Sequence, residues 1–341
     1  MARVTNAIGE TLDDLQPLLW DQHCCLPLRP DADVGHLLRF QEIGGSFVSV
    51  NVGYAPNDAD STLRILESFR RQLATDQRFL LAGSAADVVT AQATGRLAVA
   101  FDLEDANPLD GRLDMVERYH RLGVRTLVPT YNYRNAAGSG CMDAEDEGLT
   151  AYGRAMVREM NRVGIVADGS HSSIRTGLEL CEVSTGPVIY SHTCMRSVWE
   201  HERNITDEQA RACAATGGVI GISGVGVFLG PNDISLDALL RHLEYAIELV
   251  GPDHVGIGTD YPFDIDDFNR ELTENAELFP ESYTRWGPIR FVEPETLSPL
   301  AAVLADRGYP DEAITGILGG NFLRVARQAW NPEAQNSPSA G

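Results

Sequence analysis

The chain has 341 residues, of which 43% are hydrophobic, and this is enough for one large α/β barrel or for two smaller domains. Its formal net charge of −22 argues against nucleic acid and against an anionic membrane surface as partners, because both need clustered Lys and Arg. No stretch approaches the roughly 20 apolar residues of a membrane span, and residues 1–15 lack the layout of a secretory signal. We therefore expect a cytoplasmic protein without a membrane anchor.

Short β-rich runs recur along the chain, and several are near-continuous apolar runs, a pattern typical of strands covered on both faces. In chain order the predicted strands are LLWDQHC (18–24), SFVSVNVGY (46–54), LAVAFDLED (97–105), TLVPTYN (126–132), GIVADGSHS (164–172), PVIYSHT (187–193), GGVIGISGVG (217–226) and HVGIGTDYP (254–262).

Helical patterns lie between these strands, over residues 58–76, 149–164 and 235–251, the last starting at a Ser cap and ending in Gly. Eight strand–helix units predict a single α/β domain over 1–330, folded as a closed (β/α)8 TIM-type barrel. An open doubly wound sheet is the alternative, but the glycine-rich phosphate loop that usually follows its first strand is missing. The Pro- and Ser-rich segment 331–341 is predicted to be a disordered tail.

The six cysteines form no CxxC pair and no short disulfide framework, so we expect reduced thiols. Cys24 and Cys25 are adjacent, and neighbouring cysteines rarely reach disulfide geometry without a distorted backbone. A redox pair at this position is therefore disfavoured.

Metal-binding residue types fall at the ends of predicted strands, and in a barrel those ends share the rim where active sites are built. Imidazole and carboxylate groups together suit zinc or a similar divalent ion, and a glutamate between two groups of ligands can bridge two ions. The candidate metal ligands from the first, third, fifth, sixth and eighth strands are His23, Glu104, His171, His192 and Asp260. The other histidines are assigned no chemistry.

Strand alternation places His23 and Cys25 on one side of the first strand and Cys24 on the other. If His23 faces the pocket, Cys25 does too, and its thiolate is a good zinc ligand. Cys24 is expected to face the helices as a small buried residue.

With these residues assembled, the chain resembles the membrane (renal) dipeptidase family, metallopeptidase family M19 of the amidohydrolase superfamily. The resemblance extends from about residue 20 to residue 327. It rests on YHRLGVRTLVPTYNYRN (119–135), GLTAYGRAMVREMNRVGIVADGSHSS (148–173), PVIYSHTCMRSV (187–198), ERNITDEQ (202–209), DHVGIGTDY (253–261) and GGNFLRVA (319–326).

The resemblance implies a barrel with two zinc ions and, by the habit of the family, a homodimer. His23 would bind the first ion, Glu104 would bridge the pair, and His171 with His192 would hold the second. Asp260 would lie beside the first ion and act as general base and then as general acid. Arg203 would bind the carboxylate of the substrate, which the planar guanidinium fork can pair in a bidentate manner.

Two departures from the family pattern stand out. The first strand of the family usually reads Asp-Gly-His-Asn-Asp, whereas here Cys25 replaces the final Asp. Tyr131 stands where the family often has a His that touches the scissile carbonyl oxygen, and a phenol can still donate a hydrogen bond to a developing oxyanion. Three alternatives stay open for Cys25: a thiolate ligand in a site with two ions, a non-ligand in a site with one ion, or a pocket that serves another reaction.

The leading hypothesis is a zinc-dependent dipeptidase that hydrolyses a small dipeptide or an N-acyl amino acid with metal-activated water. The alternatives are a hydrolase of another amide or of a lactone in specialised metabolism, and a metal-binding descendant of the barrel without peptidase activity. Retention of Glu104, His171, His192, Arg203 and Asp260 argues against the last, whereas the loss of the carboxylate at Cys25 supports it.

Overall fold

In the computed structural model, residues 18–330 are described, so the predicted tail at 331–341 lies outside the described residues. The strands of this part of the chain are numbered β1 to β10. They span Leu19–Cys25, Gly45–Asn51, Phe79–Leu81, Leu97–Leu103, Val124–Leu127, Val166–Asp168, Val188–Thr193, Ile220–Ile222, Val255–Ile257 and Tyr261–Pro262.

The strands pair in parallel, in the order β10-β1-β2-β4-β5-β6-β7-β8-β9, and the short β3 adds to the start of β4. Because only residues 258–260 separate β9 from β10, the two act as one interrupted eighth strand that closes the sheet against β1. The predicted (β/α)8 barrel is confirmed, and each of the eight predicted strands is present. The short β3 was not predicted.

The helices, α1 to α14, connect these strands and cover the barrel. They span Leu38–Glu42, Ala59–Thr75, Ala85–Ala93, Asp114–Arg121, Ala151–Val163, Ile174–Val183, Asp207–Ala215, Gly226–Leu229, Leu236–Val250, Ile265–Glu274, Glu281–Thr284, Leu300–Asp306, Asp311–Thr315 and Asn321–Ala329. Within residues 18–330, no helix has both the length and the hydropathy needed to cross a bilayer.

The three predicted helices are present as α2, α5 and α9. Ser235 caps α9 by accepting a hydrogen bond from the amide of Ala238, and Gly251 ends this helix, as the sequence predicts. The short helices α10 to α13, between β10 and α14, were not predicted. Each has ten residues or fewer, which leaves little room for a hydrophobic period.

An apolar layer fills the amino-terminal end of the barrel. Trp20 stacks on Phe47 with ring centroids 3.7 Å apart, and Phe322 and Trp330 pack beside the indole ring. This layer gives the barrel a dry base. The layer lies at the opposite end of the barrel from the rim where the strands end.

The first strand is irregular at the point where it reaches the rim. Gln22 donates a hydrogen bond to Thr126 on β5, and the ring of His23 stacks on His192 of β7. Neither β5 nor β7 is a neighbour of β1 in the sheet, so both adjacent side chains point across the barrel. A register shift between β1 and β2 in the interval from Asp21 to Cys24 permits this.

Candidate metal centre

The predicted ligands converge at the carboxyl-terminal rim. His23 and His192 lie near the ends of β1 and β7. Glu104 directly follows β4, His171 comes three residues after β6, and Asp260 lies in the short break between β9 and β10. All five side chains are buried or nearly so. Residues spread over most of the chain thus form one cluster.

His171, His192 and Glu104 form the tighter half of this cluster. The Nε2 atoms of the two histidines are 3.0 Å apart, and Oε1 of Glu104 lies 2.9 Å from the first and 3.3 Å from the second. Burial lowers the pKa of both imidazoles well below the usual value, and nearby positive charges add to this effect. The two rings are therefore neutral and can offer lone pairs to a cation.

The outer nitrogen of each of these rings has a hydrogen-bond partner. Ser191 Oγ lies 2.7 Å from Nδ1 of His192, and Asn132 Oδ1 lies 2.8 Å from Nδ1 of His171. The amide nitrogen of Asn132 donates to the carbonyl of Leu278, so the oxygen of this amide faces the ring. Protonation at both Nδ1 atoms would leave both Nε2 atoms free as ligands.

His23 belongs to a more acidic half of the cluster. Its Nδ1 lies 3.1 Å from Asp102, and its Nε2 lies 3.6 Å from both Glu104 and Asp260. Burial alone would lower the pKa of His23, but these three carboxylates outweigh it and raise the pKa to about 10. This excess of negative charge suits a bound cation.

Cys25 lies on the same side of β1 as His23, as strand alternation predicts. Its Sγ is 3.6 Å from Nε2 of His23 and 3.8 Å from Oδ1 of Asp260. Cys24 is fully buried on the other side, where its thiol donates to the carbonyl of Ser49. Burial and the nearby carboxylates raise the pKa of Cys25 well above its usual value, so a thiolate here would need a cation beside it.

Glu104 faces both halves of the cluster with a single oxygen. Its Oε1 is the atom near all three histidines, whereas Oε2 accepts a 2.6 Å hydrogen bond from Nδ2 of Asn51. The hydrogen bond from Asn51 occupies one lone pair of Oε2 and fixes the direction in which Oε1 points. As placed, Oε1 alone is shared.

The backbone of the cluster is strained at three positions. Asn132, His171 and Asp260 have φ angles of 57°, 60° and 58°, in the left-handed region that residues other than glycine rarely occupy. The amide of Asp260 donates to the carbonyl of His23, and the preceding Thr259 donates to the carboxylate of Asp21. Such strain is typical of sites whose geometry is fixed for function.

Tyr131 lies against the metal centre and borders the main pocket. Its ring stacks on His171 with centroids 4.2 Å apart, and its amide donates to Asp105. Burial raises the pKa of its phenol, so this group is a proton-bearing donor. The rest of the pocket is largely apolar, and its walls include Leu28, Val225, Phe228, Phe268, Ile289 and Phe291.

Arg203 is buried beside the centre, but it borders a second, more polar cavity on the other side of His171. Its Nη2 donates to the carbonyl of His192, and its Nε lies 3.1 Å from Nδ1 of His171. Nη1 has no partner in the described residues. Both N–H groups of Nη1 are therefore available to a carboxylate.

Nδ1 of His171 cannot serve both of its neighbours. It would accept a hydrogen from Arg203 or donate one to Asn132, depending on the tautomer. With the proton on Nδ1, His171 would donate to Asn132 and could offer Nε2 to a metal ion, and Nε of Arg203 would then have no acceptor there.

The residues that hold the ligands were missed by sequence reasoning. Three are polar residues inside apolar strands, Asn51, Asp102 and Ser191, and the fourth, Asn132, lies in the loop after β5. For two of them the sequence did carry a signal, since Asn51 interrupts SVNV and Asp102 lies two residues before Glu104, on the same face of its strand.

Comparison with known proteins places this centre in a family. The sequence model described as membrane dipeptidase (peptidase family M19) matches residues 29–280, which is more than half of the chain. The chain belongs to the membrane dipeptidase family. It is therefore a hydrolase with the fold of a metallopeptidase family, and membership implies metal ions.

Individual relatives agree with this assignment. An uncharacterized dipeptidase of Schizosaccharomyces pombe is 28% identical over 309 residues, which are 84% of this chain and 70% of that protein. Dipeptidase aclJ of Aspergillus oryzae is 29% identical over 305 residues, covering 84% and 68% of the two chains.

The solved structures show the same fold. An amidohydrolase from Pseudomonas aeruginosa superimposes with a TM-score of 0.83 at 26% identity, covering 92% of this chain and 97% of that one. A metallopeptidase from Rhodobacter sphaeroides, solved with a phosphinate mimic of the dipeptide L-Ala-D-Ala, gives a TM-score of 0.76 at 21% identity, covering 93% and 100%. At that identity the second likeness shows the fold alone.

Proposed function

We propose that this member of the membrane dipeptidase family is a zinc-dependent dipeptidase, acting on the amide bond of a small dipeptide or an N-acyl amino acid. The observation that carries the proposal is the convergence of three imidazole Nε2 atoms on one glutamate oxygen. His23, His171 and His192 all face Oε1 of Glu104 within 3.6 Å.

The side-chain donor atoms of the cluster are spaced as a divalent metal ion requires. Ligand atoms around a tetrahedral zinc ion lie about 3.3 to 3.8 Å apart, given bonds of about 2.0 to 2.3 Å. The separations around His23 Nε2, to Glu104, Asp260 and Cys25, are 3.6 Å each. The separations among His171, His192 and Glu104 are 2.9 to 3.3 Å, somewhat shorter, so binding would spread these atoms slightly.

Two groups of side chains would hold the metal. His171, His192 and Glu104 would hold one ion, and His23, Glu104 and Asp260, joined by Cys25, would hold the other. When bound, zinc would lower the pKa of a water molecule and polarise the substrate carbonyl.

The protein groups around the centre would then orient the substrate and move its protons. Asp260 is the carboxylate of the cluster with the most solvent access, at 16% exposure, so it would take a proton from water and return it to the leaving amine. The phenol of Tyr131, stacked on His171, would donate to the oxyanion that develops at the scissile carbonyl. Arg203, with its unpartnered Nη1, would bind the carboxylate of the substrate.

Cys25 would act as a thiolate ligand of the ion beside His23. Its inward direction and its distances to His23 and Asp260 support this role over that of a bystander. A thiolate donates more charge than the usual aspartate and offers one ligand atom instead of two. It should therefore narrow the accepted metals toward zinc.

Two further expectations accompany this proposal, a cytoplasmic location from the sequence and a homodimer implied by the family resemblance. We expect a cytoplasmic homodimer, and size-exclusion chromatography with light scattering would measure its mass.

The test is a metal and substrate assay with a matched pair of variants. Zinc-loaded protein should hydrolyse members of a dipeptide panel, chelation should stop this, and added zinc should restore it. Glu104→Gln should lose the activity, whereas the exposed Glu42→Gln should keep it. Metal-replete, folded protein that hydrolyses no dipeptide and no N-acyl amino acid, but opens lactones, would reject the proposal in favour of a related hydrolase.

A further inference from the structure

Among the polar side chains that line the main pocket and that the proposed chemistry does not use, two make no hydrogen bond in the described residues. Tyr54 follows β2, and Glu271 lies on α10, which forms one wall of the pocket. Both border the same space as Tyr131 and the metal centre, and most of their neighbours there are apolar. A polar pair inside an apolar pocket is a typical orientation device for a ligand.

Tyr54 lines the pocket, and its own hydroxyl is buried without a hydrogen-bond partner in the described residues. The residue is only 4% exposed, and its hydroxyl makes no hydrogen bond of acceptable geometry in the described residues, although the Asn275 side chain lies nearby. Its ring is fixed by an edge contact with Tyr131 at 4.8 Å. Because a buried hydroxyl without a partner costs stability, this arrangement suggests a group supplied by a ligand.

Glu271 lacks a counter-charge although arginines are close by. Arg29 and Arg270 both bind the carboxylate of Asp267, at 2.6 and 2.8 Å, and neither pairs with Glu271. Within the described residues, the side chain of Glu271 makes no hydrogen bond and no ion pair. Burial and the charge of Asp267 raise the pKa of Glu271 to about 7. A cation in the pocket would relieve this strain.

We propose that Tyr54 and Glu271 bind an ammonium group of the substrate, carried by the residue on the amino-terminal side of the scissile bond. An ammonium has three donors and no acceptor, so it can satisfy the Glu271 carboxylate and the lone pairs of the Tyr54 oxygen together. The apolar walls lower the local dielectric constant and strengthen both contacts.

This inference rests on the proposed dipeptidase function and narrows its substrate class. If the ammonium is the α-amine, the inference favours dipeptides with a free amine over N-acyl amino acids. If it is a side-chain amine, the inference favours substrates whose amino-terminal residue has a cationic side chain over those with a neutral one. The ammonium could be the α-amine or a side-chain amine, and the two sources share the same chemistry.

Four substrates separate these sources. Norleucyl-glycine carries only the α-amine, N-acetyl-lysyl-glycine only the side-chain amine, lysyl-glycine both, and N-acetyl-norleucyl-glycine neither. The zinc-loaded enzyme should show kcat/KM at least about tenfold higher for substrates with the recognised ammonium, as expected for a charged hydrogen bond. Binding of norleucine amide or N-acetyl-lysine amide, measured by calorimetry, gives a readout independent of turnover.

The variants assign the preference to the two side chains. Glu271→Gln and Tyr54→Phe should reduce the preference for the ammonium substrate and weaken the binding of the corresponding amide, with little effect on N-acetyl-norleucyl-glycine. Glu274→Gln changes an exposed carboxylate on the same helix, and Tyr152→Phe removes another unpartnered hydroxyl remote from the pocket. Neither control should alter the preference.

The outcomes distinguish this inference from the function on which it rests. Hydrolysis of all four substrates without a preference, or a preference unchanged by Glu271→Gln, would overturn the inference and leave the dipeptidase proposal standing. No hydrolysis of any dipeptide by folded, metal-replete protein would reject the dipeptidase proposal. In that case the calorimetric binding of the amides would still decide whether the pocket takes an ammonium.

Discussion

The two halves of the metal centre share Glu104 but are held in different ways. His171 and His192 are buried, and each has a side chain, from Asn132 or Ser191, fixing its outer nitrogen. In the half around His23 the imidazole is also buried and its outer nitrogen lies 3.1 Å from Asp102, but its strand is irregular there and the other members, Asp260 and Cys25, are partly exposed.

This difference indicates which half of the centre should bind metal more tightly. Preorganised ligands lose less freedom on binding, and the side chains of the centre with the most freedom to lose are the partly exposed Asp260 and Cys25. The carboxylates around His23 also keep it protonated in the absence of metal, so a metal must displace that proton. We expect the ion at His171 and His192 to bind first and to leave last.

The largest effect should follow from removing a ligand of the tighter half. His192→Ala should lose at least one equivalent of zinc and abolish hydrolysis, because the substrate carbonyl and water lose their activating ion. The control His36→Ala changes an exposed histidine and should keep the full zinc content and the hydrolytic activity. Elemental analysis after gel filtration gives the number of zinc ions per chain. Full zinc content in His192→Ala would contradict the role of His192 as a ligand of the tighter ion.

Replacement of Cys25 tests the looser half. Cys25→Ala should lose one ion and most of the activity while the other ion stays bound, and Cys25→Asp should retain both ions and raise activity toward dipeptides. Cys181→Ala, at a partly buried thiol on the barrel exterior, serves as the control. If the zinc count of Cys25→Ala equals that of the wild type, the thiolate is not a ligand.

A smaller effect should follow from loosening the support of His192. Ser191→Ala removes the hydroxyl at Nδ1 and should weaken the tighter ion by about 10- to 100-fold, in line with other groups that orient metal-binding histidines. Ser298→Ala, on the exposed surface, should have no effect. Competition with a chelating dye measures the zinc affinity of both variants. Equal affinities of Ser191→Ala and the wild type would show that Ser191 does not orient the ring of His192.

The smallest effect concerns stability and lies outside the metal cluster. Glu271 ionises with a pKa raised to about 7 by burial and by Asp267, with Glu274 adding to this and Arg270 opposing it, and Tyr54 lines the same pocket. A raised carboxyl pKa means that stability is fully present below the unfolded value of 4.5 and is lost as the pH rises through about 7.

Glu271→Gln should therefore raise the melting temperature by roughly 2 °C at pH 8 and hardly at all at pH 5. Differential scanning fluorimetry at the two pH values is sufficient, with Glu274→Gln for comparison. An equal shift of the melting temperature at pH 5 and pH 8 would mean that ionisation of Glu271 does not destabilise the fold.

The sequence predicted the barrel and the ligand cluster because strand ends in a barrel converge, whatever the exact strand bounds. It also predicted the inward direction of Cys25, because alternation from His23 to Cys25 survives the irregularity just before it. The sequence could not predict the orientation of Glu104, whose second oxygen accepts a hydrogen bond from Asn51 on another strand. It could not predict that Arg203 donates from Nη2 to the carbonyl of His192 and directs Nε at His171, since both contacts depend on the tertiary fold.

The most direct test of a metal centre with two unequal halves is a crystal structure with anomalous data at the zinc edge. The account predicts a strong peak within about 2.1 Å of Nε2 of His171 and His192, and a weaker one about 2.3 Å from Sγ of Cys25 and close to His23. Soaking in chelator should remove the weaker peak first. No peak among these side chains in zinc-grown crystals, or a stronger peak at Cys25 than at His192, would contradict it.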